Sequence, residues 1–321
     1  MERIIRIGTR ESQLAVWQAN QVKDLLEKNG YTAQLVYIKS EGDIDLITPL
    51  YEMGVQGVFT RSLDLALLND KIDIAVHSMK DVPTQLPKGI EQSAVLKRAS
   101  YKDILVLGGD LLEDINMPFA PHNLQLPNHN LPLIIATSSI RRKSQWLHRY
   151  PTHTIDNLRG NVNTRLKKLS ESNWYGAIFA AAGLERINLR PKNSIDLNWM
   201  LPAPAQGAIM VVCRDNDPFS FEACQHFNDQ DTALCTKIER DFLRILLGGC
   251  STPISALAKV KADTIHFRGN VVAIDGSIKV EVEKTISIDE ANVGGAMFAQ
   301  SLLEKGGQAI IDAINNAKQT N

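Results

Sequence analysis

The chain has little cysteine: four residues in 321, at positions 213, 224, 235 and 250. None is arranged as CxxC and no histidine stands at metal-ligand spacing. Neither a zinc site nor a disulfide framework is indicated, and the pattern points to a reducing compartment, the cytosol. Long apolar runs are missing as well. None approaches the ~20 residues that span a bilayer, and the amino terminus, MERIIRIGTRES, is charged where a secretory leader would be apolar. A cytoplasmic protein with no membrane partner is therefore expected. Charge of one sign is also lacking. Lys and Arg total 35 against 36 Asp and Glu, a formal net charge of −1, which argues against a nucleic-acid partner because such binders normally carry a basic domain or face. No internal sequence repeat and no low-complexity tract is visible. The length allows two or three domains of roughly 100–150 residues each.

Against that neutral background one stretch is conspicuously basic. Thr137 to Arg165, TSSIRRKSQWLHRYPTHTIDNLRGNVNTR, holds Arg141, Arg142, Lys143, Arg149, Arg159 and Arg165 with only Asp156 opposed. The apolar run Leu133–Ala136 leads into Thr137-Ser138-Ser139, and a helical pattern follows. A strand opening into a helix behind hydroxyl residues leaves backbone N–H groups pointing outward, which attract anions. Arginines just inside add forked donors that match carboxylate or phosphate. A lone pair of arginines would ordinarily be a solvated face. Here Arg159-Gly160-Asn161 opens a second basic helix, and two such starts point to a ligand with many negative charges.

Taken in order, the chain begins with a strand at Ile4–Ile7, a turn at Gly8-Thr9-Arg10 and a helix from Ser12 to about Lys28, ended by Asn29-Gly30. A strand at Gln34–Ile38 completes a β-α-β start, which favours a parallel sheet. Arg10 and Ser12 then lie at the carboxyl end of the first strand, where such sheets bind ligands. Ser12 can equally be a plain helix cap. Residues 40–58, broken by Gly42, Pro49, Gly54 and Gly57, form neither helix nor strand and are read as a lid. Phe59 opens a helix to about Asn69. The buried-type strand Ile72–Val76 runs into His77-Ser78-Met79-Lys80-Asp81, again at a carboxyl strand end. Asp103–Leu107, Leu133–Ala136 and Tyr175–Ala181 are strands of a second α/β unit, with 111–131 as a Pro- and Asn-rich excursion. LPAPAQGA at 201–208 has the Pro and Gly content of a hinge, and the strand Ile209–Cys213 behind it is positioned to rejoin the first sheet. A helix from Thr232 to Leu247, stopped by Gly248-Gly249-Cys250, precedes three antiparallel strands with a turn at Asp275-Gly276. Two terminal helices, Asn292–Leu303 and one after Gly307, close a small α+β unit.

Cys250 stands on a glycine loop at a helix end. A free cysteine is most often a buried small hydrophobe, yet a cysteine in this setting is accessible for covalent attachment. With it in view, seven segments in order, RIGTRESQLA, DIAVHSMKDVP, ATSSIRR, LRGNVNTRL, AAGLER, LPAPAQGA and ERDFLRILLGGCSTPI, make the chain resemble the hydroxymethylbilane synthase, or porphobilinogen deaminase, family over nearly its whole length.

The resemblance implies two periplasmic-binding-protein-like α/β domains with a cleft between them, plus a small C-terminal α+β domain. Domain 1 would comprise 1–98 and 209–226, domain 2 would be 102–203, and domain 3 would be 230–321. It implies a monomeric transferase of tetrapyrrole (heme) biosynthesis that joins four porphobilinogen molecules and releases ammonia at each step. The chain grows on a dipyrromethane cofactor held by a thioether to Cys250, and water then releases the linear product. Each added ring carries an acetate and a propionate, so the growing chain is a polyanion. Arg10, Arg141, Arg142, Arg159, Arg165 and Arg186 match the family's carboxylate-binding arginines, and Ser12, Thr137, Ser139 and Lys80 its other carboxylate contacts. Gly160, Gln206 and Asp103 are expected near the cofactor, and Phe59 beside the substrate. Asp81 matches the catalytic aspartate, whose carboxylate would hold the azafulvene cation left when ammonia departs and could also move protons. No metal is expected. The resemblance departs at Glu41, Glu52 and Gln56, in the lid, where basic residues are usual. A non-catalytic two-lobed carboxylate or oxyanion binder is the alternative, one that leaves Cys250 and the third domain unexplained.

Overall fold

The computed structural model describes residues 3–39, 60–108, 132–246 and 252–319. The lid reading, Phe59, Cys250, Glu41, Glu52, Gln56 and the whole 111–131 excursion lie outside them.

The first lobe is built on a five-stranded sheet. Strand β1 (Ile5–Thr9) lies parallel to β2 (Ala33–Tyr37) on one side and to β3 (Ile74–Ser78) on the other. Beyond β3 comes β10 (Ile209–Arg214), which runs antiparallel to β3 and to β4 (Ile90–Val95), for the order β2-β1-β3-β10-β4. The strand behind the hinge thus rejoins the first sheet, as its position suggested. Gly8 and Thr9, expected in a turn, extend β1 instead. Helix α1 (Gln13–Lys28) starts where Ser12 Oγ accepts a hydrogen bond from the Ala15 N–H at 3.4 Å and stops at Asn29. It packs Ala19, Val22 and Leu26 against Ile5, Ile7 and Ile74 on one sheet face. Helix α2 (Arg61–Leu68) covers the other face with Leu63, Ala66 and Leu67.

The second lobe repeats this plan. Strands β5 (Asp103–Leu107), β6 (Ile134–Ala136), β7 (Thr154–Asp156), β8 (Gly176–Ala180) and β9 (Ser194–Asp196) pair in the order β7-β6-β8-β5-β9. The β6–β7 and β6–β8 pairs are parallel, and β5 is antiparallel to both its neighbours. Sheet order and strand sense therefore match between lobes that share no visible sequence repeat. Its helices are α3 (Ile140–Arg149), α4 (Val162–Ser170) and the short α5 (Ala181–Glu185). Helix α6 (Pro218–Gln225) returns to the first lobe.

Helix α7 (Gln230–Ile245) then leads to the antiparallel sheet β11 (Ile254–Lys261), β12 (Thr264–Val272) and β13 (Lys279–Ser287), with α8 (Ala291–Leu302) and α9 (Gln308–Gln319) behind it. Gly276, at φ +80°, forms the turn between β12 and β13. In this core Phe267 stacks on Phe298 and meets Phe242 edge to face. The architecture is two α/β lobes plus a small α+β unit.

Candidate active site

The strand β3 is buried along Ile74–His77 because both of its faces are covered, and it delivers a single 3-10 turn, Met79–Asp81, to its carboxyl end. Met79 is buried and anchors the turn. The Val82 N–H closes it on the Met79 carbonyl at 3.2 Å, and Pro83 carries the chain away. Lys80 and Asp81 are left half-buried at the mouth between the lobes.

The second lobe meets this turn with its two basic helix starts. Ser139 caps α3, its Oγ accepting from the Arg142 N–H at 3.5 Å, while Thr137 Oγ1 accepts from the Ser139 N–H at 3.2 Å. Ser138 Oγ donates to the Leu158 carbonyl at 2.7 Å and so ties the first start to the second. Asn161 caps α4 by accepting from the Thr164 N–H at 2.9 Å. Just before it Gly160 adopts φ +115°, where a Cβ would lie 2.7 Å from Thr164 Cγ2. A side chain there would strain the backbone that sets Arg159 in place.

Arg141 and Arg142 are buried and share the buried carboxylate of Asp103. Arg142 donates from Nε (3.0 Å) and Nη2 (2.8 Å) to Asp103 Oδ1 and from Nη1 to the Ile178 carbonyl at 2.9 Å. Arg141 Nη2 lies 2.8 Å from Asp103 Oδ2, and its Nη1 donates to the Leu201 carbonyl at 2.7 Å. Gln206 joins them by donating from Nε2 to Asp103 Oδ1 at 3.0 Å. Burial alone would raise the Asp103 carboxyl, but Arg141, Arg142 and Lys80 outweigh it and bring it to about 2. Burial conversely pushes Lys80 down to about 8, with Asp81 pulling upward and Arg142 adding to the depression. Burial also lowers Arg165 to about 10, helped by Arg142 and opposed by Asp81.

These mutual influences define one cluster spanning both lobes: Lys80, Arg141, Arg142, Arg159 and Arg165 against Asp81 and Asp103, five cations to two carboxylates and a net charge of +3. The Nε of Arg165 is buried with no hydrogen-bond partner among the described residues. Unbalanced cations out of water are costly unless something anionic joins them.

Other expected residues flank the cluster. Arg10, at the end of β1, is close enough to buried His77 to help burial lower that imidazole to about 4. Ser12 is occupied as the α1 cap. Arg186 donates from Nη2 to the Gly207 carbonyl at 2.7 Å, lies 5.8 Å above the Trp17 ring, and is lowered to about 10 by burial. A small cavity of about 40 Å³ separates it from Leu14, Ser78 and Lys80.

Sequence reasoning missed three residues that hold this assembly from behind. Glu239 and Arg240 on α7, and Arg98 before β5, bind hinge and turn backbone rather than a cleft ligand. Glu239 could have been noticed as a charge on the apolar stripe of Cys235, Ile238 and Phe242, because a fully buried carboxylate needs partners.

Two lobes that close a cationic, fork-lined cleft around one half-buried carboxylate define a protein suited to a polyanionic small molecule. Known proteins narrow this. Residues 5–221 match the family model described as porphobilinogen deaminase, dipyromethane cofactor binding domain, and residues 233–304 match the porphobilinogen deaminase C-terminal domain. The chain is 38% identical over 317 residues to the porphobilinogen deaminase of Pelobacter propionicus, covering 97% of each chain. It is also 38% identical over 315 residues to that of Syntrophotalea carbinolica, covering 97% of this chain and 96% of the other. Among solved structures, a nutrient binding protein from Burkholderia cenocepacia bound to methionine shares 13% identity at a TM-score of 0.40, over 71% of this chain and 93% of that one, a loose likeness. The chain belongs to the porphobilinogen deaminase family.

Proposed function

We propose that the protein is a hydroxymethylbilane synthase, condensing four porphobilinogens in succession and then releasing the linear product to water. The observation that supports this most is the net +3 cluster closing from both lobes upon the Asp81 turn. The residues present also fit the cofactor named for the family's domain. A dipyrromethane made from two porphobilinogens brings four carboxylates, which the net-positive cluster and the orphaned Arg165 Nε would receive. When bound, it supplies the pyrrole end to which the first new ring is joined.

Under this reading Arg10, Arg159, Arg165 and Arg186 bind and orient substrate carboxylates. Arg141 and Arg142, braced on Asp103, present a fixed positive field with Lys80. Thr137, Ser139, Gly160 and Gln206 shape the cofactor side. Asp81 lies within the field of Arg165 and Lys80 and is half-exposed, so its carboxylate can accept a hydrogen bond from a pyrrole N–H. There it would steady the cation that remains on the ring when ammonia leaves. Bracing by packed cations holds it in place before reaction, which is the condition for electrostatic stabilisation.

We assign the covalent attachment to Cys250. In support, Cys213, Cys224 and Cys235 are free and buried, and burial pushes their thiols up to about 12, 12 and 11, so none is suited to react. Those free thiols also favour a reducing cytoplasm, and no described helix is long and apolar enough to cross a membrane. The monomeric state and the absence of a nucleic-acid partner are likewise our reading. The division into 1–98 with 209–226, 102–203 and 230–321 is supported by the three separate sheets.

The test is turnover. With porphobilinogen, the wild type should release ammonia and a linear tetrapyrrole in a four-to-one ratio. Asp81→Asn, equal in size and uncharged, should be reduced by several orders of magnitude, since cation stabilisation of a few kcal/mol is at stake. Near-normal turnover in Asp81→Asn would remove this residue from the mechanism.

A further inference from the structure

Helix α7 belongs to the third unit, yet one of its side chains reaches the turn that carries Lys80 and Asp81. Arg240 donates from Nη1 to the Val82 carbonyl at 2.9 Å and to the Met79 carbonyl at 3.4 Å, and from Nη2 to the Pro83 carbonyl at 2.6 Å. Three carbonyls of one five-residue turn therefore converge on one guanidinium. The preceding residue, Glu239, binds the hinge: it accepts from the Ala205 N–H at 2.6 Å and from Arg98 Nη1 at 2.6 Å. In sequence, Cys250 follows four residues after Leu246, the helix's C-cap.

We propose that Arg240 is a positioning residue, which acts through the turn rather than on the substrate and rests on the reading of Asp81 as the cation-stabilising group. The turn closes on itself through the Val82 N–H to Met79 carbonyl bond at 3.2 Å. It follows a rigid strand but ends on Pro83, which donates nothing. Without an external clamp, the carbonyls of Val82 and Pro83 would be left to water, and the Lys80-Asp81 peptide would be held more loosely at its far end. A planar fork spans several carbonyls at fixed angles, whereas a lysine ammonium holds them as a point charge. The clamp comes from the helix that leads to Cys250. Arg240 therefore ties the first lobe's carboxylate turn to helix α7 of the third unit.

The consequence is a division between kcat and KM. Arg240→Lys and Arg240→Leu leave every carboxylate-binding arginine in place, so KM for porphobilinogen should change by less than about threefold. The turnover number should fall about 10- to 100-fold, with the lysine variant between wild type and leucine, because small misplacement of a catalytic group costs that much. Hydrogen–deuterium exchange read by mass spectrometry supplies a measure independent of turnover. The peptide spanning 79–84 should exchange faster in both variants, with peptides from β5 and β8 unchanged. Lys237→Gln, exposed on the same helix and paired with Asp241, is the control and should match wild type in both readouts. Wild-type kcat and wild-type exchange over 79–84 in Arg240→Lys and Arg240→Leu would overturn the proposal. So would uniform exchange increases across all three units, which would make Arg240 a general stabiliser. Failure of the functional reading itself is separate: the wild type would then show no turnover, whatever Arg240→Lys does to exchange.

Discussion

Replacing Glu239 by Gln should be far more damaging than its near-identity of shape implies. The side chain is fully buried. Its Oε1 accepts from Arg98 Nη1 at 2.6 Å and from the Ala258 N–H at 2.7 Å, and its Oε2 from Arg98 Nη2 at 3.1 Å and the Ala205 N–H at 2.6 Å. Each oxygen thus meets one guanidinium donor and one backbone donor. An amide has one oxygen, so whichever way it turns, its NH₂ faces two N–H groups. Two donors lose their acceptor at about 1–3 kcal/mol each, and Arg98, largely covered, is left as a cation without its carboxylate. Breaking such a pair costs about 3–5 kcal/mol. The partners lie on three different pieces of chain: Arg98 on the approach to β5, Ala205 in the hinge at φ +62°, and Ala258 on β11. The loss should therefore appear as loosening of the first lobe, the hinge and the third unit together. Urea titration followed by circular dichroism would show a midpoint decrease equivalent to about 3–5 kcal/mol. Thermal unfolding should move on the order of 10 °C, using about 2–4 °C per kcal/mol for domains of 150–250 residues. Arg98→Met combined with Glu239→Leu should recover only part, because the Ala205 and Ala258 N–H groups still lack acceptors. A loss under about 1 kcal/mol in Glu239→Gln would refute the idea that this carboxylate holds the hinge.

Two further outcomes follow from the cleft. The Asp103 carboxyl lies at about 2 in the folded state, below its ordinary value near 4. It contributes stability that is complete above pH ~4 and is lost as pH falls toward 2. Asp103→Asn should accordingly be less stable at neutral pH and show a shallower decline of the urea midpoint between pH 4 and pH 2, and an unchanged slope would contradict the assignment. Gly160→Ala meets both a positive φ and the Thr164 methyl at 2.7 Å. It should cost about 1–3 kcal/mol in denaturant titration and weaken binding of acidic pyrroles through Arg159, and a neutral effect would show that the turn relaxes freely.

Much of the fold could be read from local pattern. Ser12 and Asn29-Gly30 marked both ends of α1, Asp275-Gly276 marked the last hairpin, and the hinge composition of 201–208 placed β10 in the first sheet. Strands β7 and β9 escaped because three residues at a sheet edge leave no period to detect, and β4 because its sequence, IEQSAV, mixes polar and apolar residues without regular alternation. The equivalence of the two lobes is a matter of strand order, which a chain can repeat with entirely different side chains. For the site, residue type was legible and partnership was not. Arg141 and Arg142 were recognised as anion binders, but nothing local shows that Asp103, 39 positions before Arg142, already occupies them. Arg240 lies in a segment singled out for its cysteine. Its targets are backbone carbonyls, which every sequence has and none advertises.

The account depends most on a polyanionic pyrrole chain growing from Cys250 beneath the arginines. Intact-mass spectrometry of the purified protein, alone and after a brief pulse of porphobilinogen, measures this directly. The resting protein should exceed its sequence mass by one dipyrromethane. The pulsed protein should show a ladder of added pyrroles, Asp81→Asn should keep the resting excess without the ladder, and Cys250→Ala should carry no excess. A protein that turns over porphobilinogen at its bare sequence mass would contradict the account.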